Sequence, residues 1–146
     1  IGVIQIDRPC QHIAGKTIGE IDNNALFYMT SRGVPPAQAR ALLGQPGVTF
    51  IDLRDPRELW RDGTIPGAIN VTRGMLEMWI DPKSPYAKEF FQTGNKFVFF
   101  CAGAWRSALS TKTAQDMGLT PVAHFEGGFG AWKKAGGPVE TVEPKK

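Results

Sequence analysis

The run Lys96-Phe97-Val98-Phe99-Phe100 is almost wholly aromatic or branched. With no polar face, it needs cover on both sides as a strand, and a sheet layered between helices supplies that cover. Directly behind it stands Cys101-Ala102-Gly103-Ala104-Trp105-Arg106-Ser107. A helical pattern then runs over residues 107–117: Ala108, Leu109, Thr111, Ala114 and Met117 form a stripe, and Gly118 suits a left-handed cap. The cysteine therefore falls at the carboxyl end of a buried strand, in a tight loop feeding a helix amino-terminus. Unpaired N–H groups and the helix dipole favour negative charge there. A thiolate is such a charge, so the setting points to a reactive cysteine. The plainer alternative is a buried free cysteine serving as a small hydrophobe.

The same alternation of strand and helix runs through the preceding sequence. Residues 36–43 read as a short helix with proline in its first turn, ended by the glycines of 44–47. Residues 48–53 read as a strand and 56–62 as a second proline-opened helix. A Pro- and Gly-punctuated passage, 63–67, leads to a short apolar stretch at 68–71. Residues 75–91 suggest irregular structure with one helix ending near Thr93. Beyond the central helix come a strand at 121–125 and a last helix at 128–135. The expected fold is α/β, a central parallel sheet with helices on both faces. Ligands of such sheets bind outside the carboxyl ends of the strands, where Cys101 falls.

Residues 1–33 carry no usable motif and are read as an amino-terminal extension, although Ile1, Val3, Ile4 and Ile6 suit a short strand and residues 25–29 an apolar cluster. The main domain is placed at 34–138, and 139–146 as a frayed carboxyl-terminal tail. With 146 residues, 42% hydrophobic and 21% charged, the chain has the bulk for one proper core. Its net charge of +3 is scattered, which argues against a nucleic-acid surface. No apolar run nears the ~18 residues of a membrane span. Cys10 and Cys101 are too few and too far apart for a disulfide framework, so a reducing, cytoplasmic setting is expected. With His12 and His124 they lack paired zinc-ligand spacing; neither a metal nor a cofactor is expected. Cys10 reads as incidental, the alternative being a resolving thiol for Cys101. The chain starts at Ile1 rather than methionine, which is compatible with removal of a targeting segment.

Three stretches together resemble the rhodanese-like sulfurtransferases. One is the six-residue span from Cys101 to Arg106, between a central strand and a helix. The second is Asp52-Leu53-Arg54-Asp55-Pro56-Arg57-Glu58-Leu59-Trp60, followed by Ile65-Pro66-Gly67-Ala68-Ile69-Asn70; the third is Glu126-Gly127-Gly128-Phe129-Gly130-Ala131-Trp132. The resemblance implies a rhodanese-like fold and a thiosulfate sulfurtransferase-type transferase. In it Cys101 is the catalytic cysteine, carries sulfane sulfur as a persulfide, and passes it to cyanide or a thiol. Ala102, Gly103, Ala104, Trp105, Arg106 and Ser107 form the active loop, with Asp52 and Arg54 as supporting residues. The partners implied are a small-molecule sulfur donor and acceptor, or a sulfur-relay protein, with no nucleic acid or membrane.

Residue chemistry adds detail. A persulfide is anionic, so converging N–H groups of 102–107 would form its nest, and Gly103 would let the loop curl. Arg106 has two readings, attraction of an anionic donor or pairing with a carboxylate of the 52–58 segment. Asp52 suits a structural orienter, because a thiolate attacking sulfur needs no general base. Trp105 either stands at the loop rim against an organic donor or props the loop against a helix. Gly127, Gly128, Phe129 and Trp132 read as turn and core, and His124 as a histidine on a sheet face. Ala102 and Trp105 stand where frequent thiosulfate-using members carry a basic residue or a small-residue loop, which leaves the donor open. Two rival readings are a non-catalytic rhodanese-like binding module and a cysteine-dependent phosphatase or arsenate reductase. The latter relatives place five residues between Cys and Arg, whereas this chain has four.

Overall fold

The computed structural model describes residues 33–146, and Gly33–Lys146 form one compact unit. Cys10, the amino-terminal strand and the 25–29 cluster lie outside the described residues. In chain order the elements are α1 (Pro36–Leu42), β1 (Val48–Asp52), α2 (Pro56–Asp62), β2 (Ile69–Asn70), α3 (Leu76–Ile80), β3 (Lys96–Phe100), α4 (Trp105–Asp116), β4 (Val122–His124) and α5 (Gly128–Lys134). The strands form one four-stranded sheet, ordered β2-β1-β3-β4, and every pairing is parallel. The α/β expectation therefore holds.

Strand β3 lies inside the sheet, and its alternation divides the core. Phe97, Phe99 and Cys101 face one layer with Ile51, Leu76 and Ala114, so α3 and α4 cover that side. Val98 and Phe100 face the other with Ala39, Phe129 and Trp132, under α1 and α5. Phe97, Val98, Phe99 and Phe100 are all fully buried. At about 1.5–3 kcal/mol each, their transfer from water dominates the local energetics. The register sets Asp52 of β1 beside Phe100 of β3, and the Leu53 N–H donates to the Phe100 carbonyl at 2.9 Å. The two inner strands thus end together, one residue short of Cys101.

Some boundaries differ from the sequence expectation. Helix α4 begins at Trp105, two residues early, because the loop is tighter than the apolar stripe suggested. The expected helix ending near Thr93 is instead the short α3, with 3-10 turns at Arg73–Met75 and Glu89–Gln92. Pro82 and Pro85 lie between these segments, and proline cannot continue a helical hydrogen-bond ladder. The tail is pinned rather than frayed at its start. Thr64 and Glu140 exchange backbone hydrogen bonds at 3.0 and 2.9 Å, and Trp132 Nε1 donates to the Pro138 carbonyl at 2.8 Å. Among the described residues no helix is long and apolar enough to cross a membrane.

Beside the core lies a buried ion pair. Arg54, 1% exposed, donates from Nε and Nη2 to the two oxygens of Asp52 at 2.9 and 2.7 Å. Nη2 also donates to the Gly63 carbonyl at 2.7 Å, and Thr64 Oγ1 donates to Asp52 Oδ2 at 2.7 Å. The guanidinium lies over the Phe129 ring, 4.1 Å from its centroid. Such a pair is stable only when complete, since one partner left alone is an uncompensated buried charge. Arg54→Ala is therefore expected to cost about 3–5 kcal/mol, read as a shift in denaturant midpoint.

His124, on β4, supplies a pH dependence. Its burial pushes the imidazole below its ordinary value of 6.5, against a smaller opposing hydrogen bond at the Phe125 backbone. Just below 6.5 the unfolded chain binds a proton that the folded chain does not, so this stability is present above 6.5 and lost as pH falls. Unfolding midpoints at successive pH values should show that slope, and His124→Gln should flatten it.

Candidate active site

Cys101 lies at the floor of its loop, 1% exposed, and is the free cysteine among the described residues. Ser107, fully buried, puts its Oγ 3.6 Å from the Cys101 sulfur. The thiol donates in that contact; with an ionised sulfur the hydroxyl becomes the donor. The chain reaches this arrangement through a left-handed residue. Ala104, the N-cap of α4, has φ 75° and ψ −2°, whereas Gly103 lies outside the left-handed region. The turn expected from Gly103 is thus made by Ala104, at roughly 1–2 kcal/mol of backbone strain. The reversal brings the first turn of α4, with N–H groups that lack intrahelical acceptors, round to the cysteine.

The carboxyl-terminal segment holds the loop in place. The Phe129 N–H donates to the Cys101 carbonyl at 2.8 Å, and the Gly130 N–H to the Ala102 carbonyl at 3.2 Å. In a trans peptide N–H and C=O point in opposite directions. Fixing those carbonyls toward α5 therefore turns the N–H groups of Ala102 and Gly103 away from it. Gly128 permits the approach: its φ is +62°, and a Cβ there would lie 2.6 Å from the Cys101 oxygen. These residues, read from sequence as turn and core, are also the loop's anchor. The signal available was the pair Gly127-Gly128 opening a helix, but only the fold shows what it approaches.

Arg106 is bound by a residue that the sequence reading did not single out. Its Nη1 and Nη2 donate to Glu58 Oε2 and Oε1 at 2.8 and 2.9 Å. Glu58 also caps α2, where the Asp55 N–H donates to Glu58 Oε2 at 3.0 Å while Asp55 Oδ1 accepts from the Arg57 N–H. The Arg106 fork holds the Glu58 carboxyl below its usual range, helped by the Asp55 N–H and opposed by partial burial. The same carboxylate raises the Arg106 guanidinium, with smaller contributions from Cys101. The carboxylate-pairing geometry expected of the 52–58 segment is therefore present.

Trp105 is 67% exposed, at the outer edge of the loop. The hydrogen bonds of the Asp52 and Arg54 side chains go to each other, Gly63 and Thr64 rather than to the cysteine. The two residues connect to it through Phe129, which lies under Arg54 and whose N–H holds the Cys101 carbonyl. Among the described residues no three His, Cys, Asp or Glu side chains converge to hold a metal ion.

A parallel α/β domain with a cysteine loop across its sheet edge defines the class of protein. The chain belongs to the rhodanese-like family, since the model of the rhodanese-like domain matches residues 35–135. A shorter match, over residues 4–45, is to the SUF system FeS cluster assembly SufBD core domain and falls mostly outside the described residues. The chain is 30% identical over 111 residues to the thiosulfate sulfurtransferase/rhodanese-like domain-containing protein 3 of Mus musculus, covering 73% of this chain and 71% of that one. It is 31% identical to the tRNA uridine(34) hydroxylase of Albidiferax ferrireducens over 77% of this chain but 34% of that protein. A solved structure from Rhodopseudomonas palustris, of a protein of unknown function and possible tyrosine phosphatase, is 54% identical. It covers 86% of this chain and all of that one, with a TM-score of 0.75.

If Gly128 admits the loop, Gly128→Ala should displace the Cys101 and Ala102 carbonyls and lower any Cys101-dependent activity at least tenfold. Backbone strain there adds about 1–3 kcal/mol of instability. A Cβ on Gly130 would lie at an ordinary 3.7 Å from the Ala102 oxygen. Gly130→Ala should therefore be tolerated, and activity and melting temperature measured on both variants separate the cases.

Proposed function

We propose that this domain is a sulfurtransferase that moves sulfane sulfur from a donor such as thiosulfate, through a Cys101 persulfide, to a thiophilic acceptor. The observation that carries the reading is a buried cysteine with its carbonyl tied back, a helix amino-terminus turned toward it, and the Ser107 hydroxyl at 3.6 Å. That surrounding suits an anionic sulfur and its anionic persulfide. With thiosulfate, the Cys101 thiolate attacks the outer sulfur, a sulfur–sulfur bond forms, and the bond to the sulfonate breaks with sulfite leaving as the dianion. With cyanide as acceptor, carbon takes the terminal sulfur, thiocyanate departs, and the thiolate returns. Charge balances in both steps, and no general base is needed.

The similarity to the Mus musculus protein supports sulfur transfer. The short likeness of residues 4–45 to a cluster-assembly domain supports a sulfur-relay protein as acceptor beside small thiols. Phosphate-ester hydrolysis is the rival suggested by the Rhodopseudomonas palustris protein. Four residues between Cys101 and Arg106 leave a smaller ring than the five of phosphatase loops, and Glu58 already occupies the guanidinium fork.

Incubation with thiosulfate, then intact mass and peptide mapping, should show one added sulfur at Cys101. Cys101→Ser should abolish cyanide-coupled transfer, while Cys10→Ser should retain nearly all of it. Sulfur found on Cys10, an active Cys101→Ser chain, or efficient aryl-phosphate hydrolysis without transfer would each overturn the reading.

A further inference from the structure

Arg106 is the only charged side chain within residues 101–107, and its charge is already matched. Both η nitrogens are engaged by Glu58 at 2.8 and 2.9 Å. Glu58 is itself fixed, because its Oε2 also accepts the Asp55 N–H and swinging away would break the cap of α2. The neighbouring cation, Arg57, is paired with Asp55 at 3.1 Å. Residues 55, 57, 58 and 106 thus bring two positive and two negative charges to this side of the loop. A dianion approaching Arg106 meets the field of a pair rather than of a cation. An uncharged or singly charged donor loses far less by that pairing, and Trp105, exposed beside Arg106, offers an apolar face to an organic group.

We propose that Glu58 is a specificity-determining residue that masks the charge of Arg106 and tunes the Cys101 loop toward organic sulfur donors bearing at most one negative charge, against the thiosulfate dianion. This rests on the sulfur-transfer reading above. Thiosulfate remains a usable reagent for loading Cys101, but it is not the donor class that the site favours. Removing one carboxylate charge at an effective dielectric constant of about 20–40 changes attraction by roughly tenfold for each charge on the donor. The dianion should gain that factor once more than the monoanion, and added salt should shrink the difference.

The test compares kcat/KM for thiosulfate with kcat/KM for methanethiosulfonate, in which a methyl replaces one anionic oxygen. Glu58→Gln removes the charge and keeps one oxygen that can accept from both the Asp55 N–H and Arg106 Nη1, at the loss of the Nη2 bond, and a melting curve checks the fold. The thiosulfate-to-methanethiosulfonate ratio should rise about tenfold in Glu58→Gln at low salt and fall back toward wild type at about 0.5 M salt. A ratio within twofold of wild type, or a lowered one, overturns the proposal. A second readout needs no sulfur transfer: the rate of Cys101 alkylation by anionic iodoacetate, divided by that for neutral iodoacetamide, should rise several-fold in Glu58→Gln. An unchanged alkylation ratio overturns the mask. A shifted ratio in a chain that takes sulfur from neither donor supports the mask but overturns the sulfur-transfer reading, and the donor class with it.

Discussion

Two hydrogen bonds, from Phe129 and Gly130 to the carbonyls of Cys101 and Ala102, join the last helix to the first residues of the central loop. Everything chemically distinctive depends on them. A short loop between strand and helix has carbonyls as well as N–H groups, and carbonyls pointing at an anionic sulfur would repel it. Here α5 takes up two of those carbonyls. Because peptide planes are rigid, the corresponding N–H groups face the opposite way. The requirement then spreads outward. Gly128 must lack a side chain, Phe129 must be held, and Arg54 over Phe129 must keep Asp52 and Gly63 as partners. A buried ion pair distant from the sulfur thereby belongs to the same mechanical unit.

The fold was largely legible because its strongest signals are local. The unbroken run 96–100 demands two covered faces, and proline opens α1 and α2 where the sequence placed them. Less was legible where local preference and tertiary contact compete. Ala104 rather than Gly103 takes the left-handed turn, since the direction of α4 decides where the chain must reverse. Residues 75–91 carry apolar side chains between prolines, so packing rather than periodicity selects their short helix and 3-10 turns.

The site was legible in part for the same reason. Cys101, Arg106 and Ser107 lie within seven consecutive residues, and the loop that joins them announces itself. Glu58 lies nearly fifty residues away, inside a capping box that accounts for it on local grounds alone. The sequence offers Arg106 a carboxylate of the 52–58 segment, but a residue with a sufficient local explanation gives no sign that it is the one taken. Gly128 hides similarly, because a glycine at a helix start is ordinary and its closeness to the Cys101 oxygen exists only after folding. Trp105 is the reverse case: its large apolar side chain stands exposed, where burial would be its usual fate.

The pairing of Thr64 with Glu140 has a bearing on how the chain matures on the ribosome. Gly63, whose carbonyl accepts from Arg54, precedes Thr64 directly, and Glu140 is added long after both. Phe129, the lid over the same guanidinium, also arrives late. While the nascent chain lacks these residues, both lateral partners of β1 are already made, but Arg54 and Asp52 lack the ring that covers the guanidinium. Closure of the charge pair away from water is therefore a late event in synthesis, and the cysteine loop is set in its working shape only when nearly the whole domain has emerged.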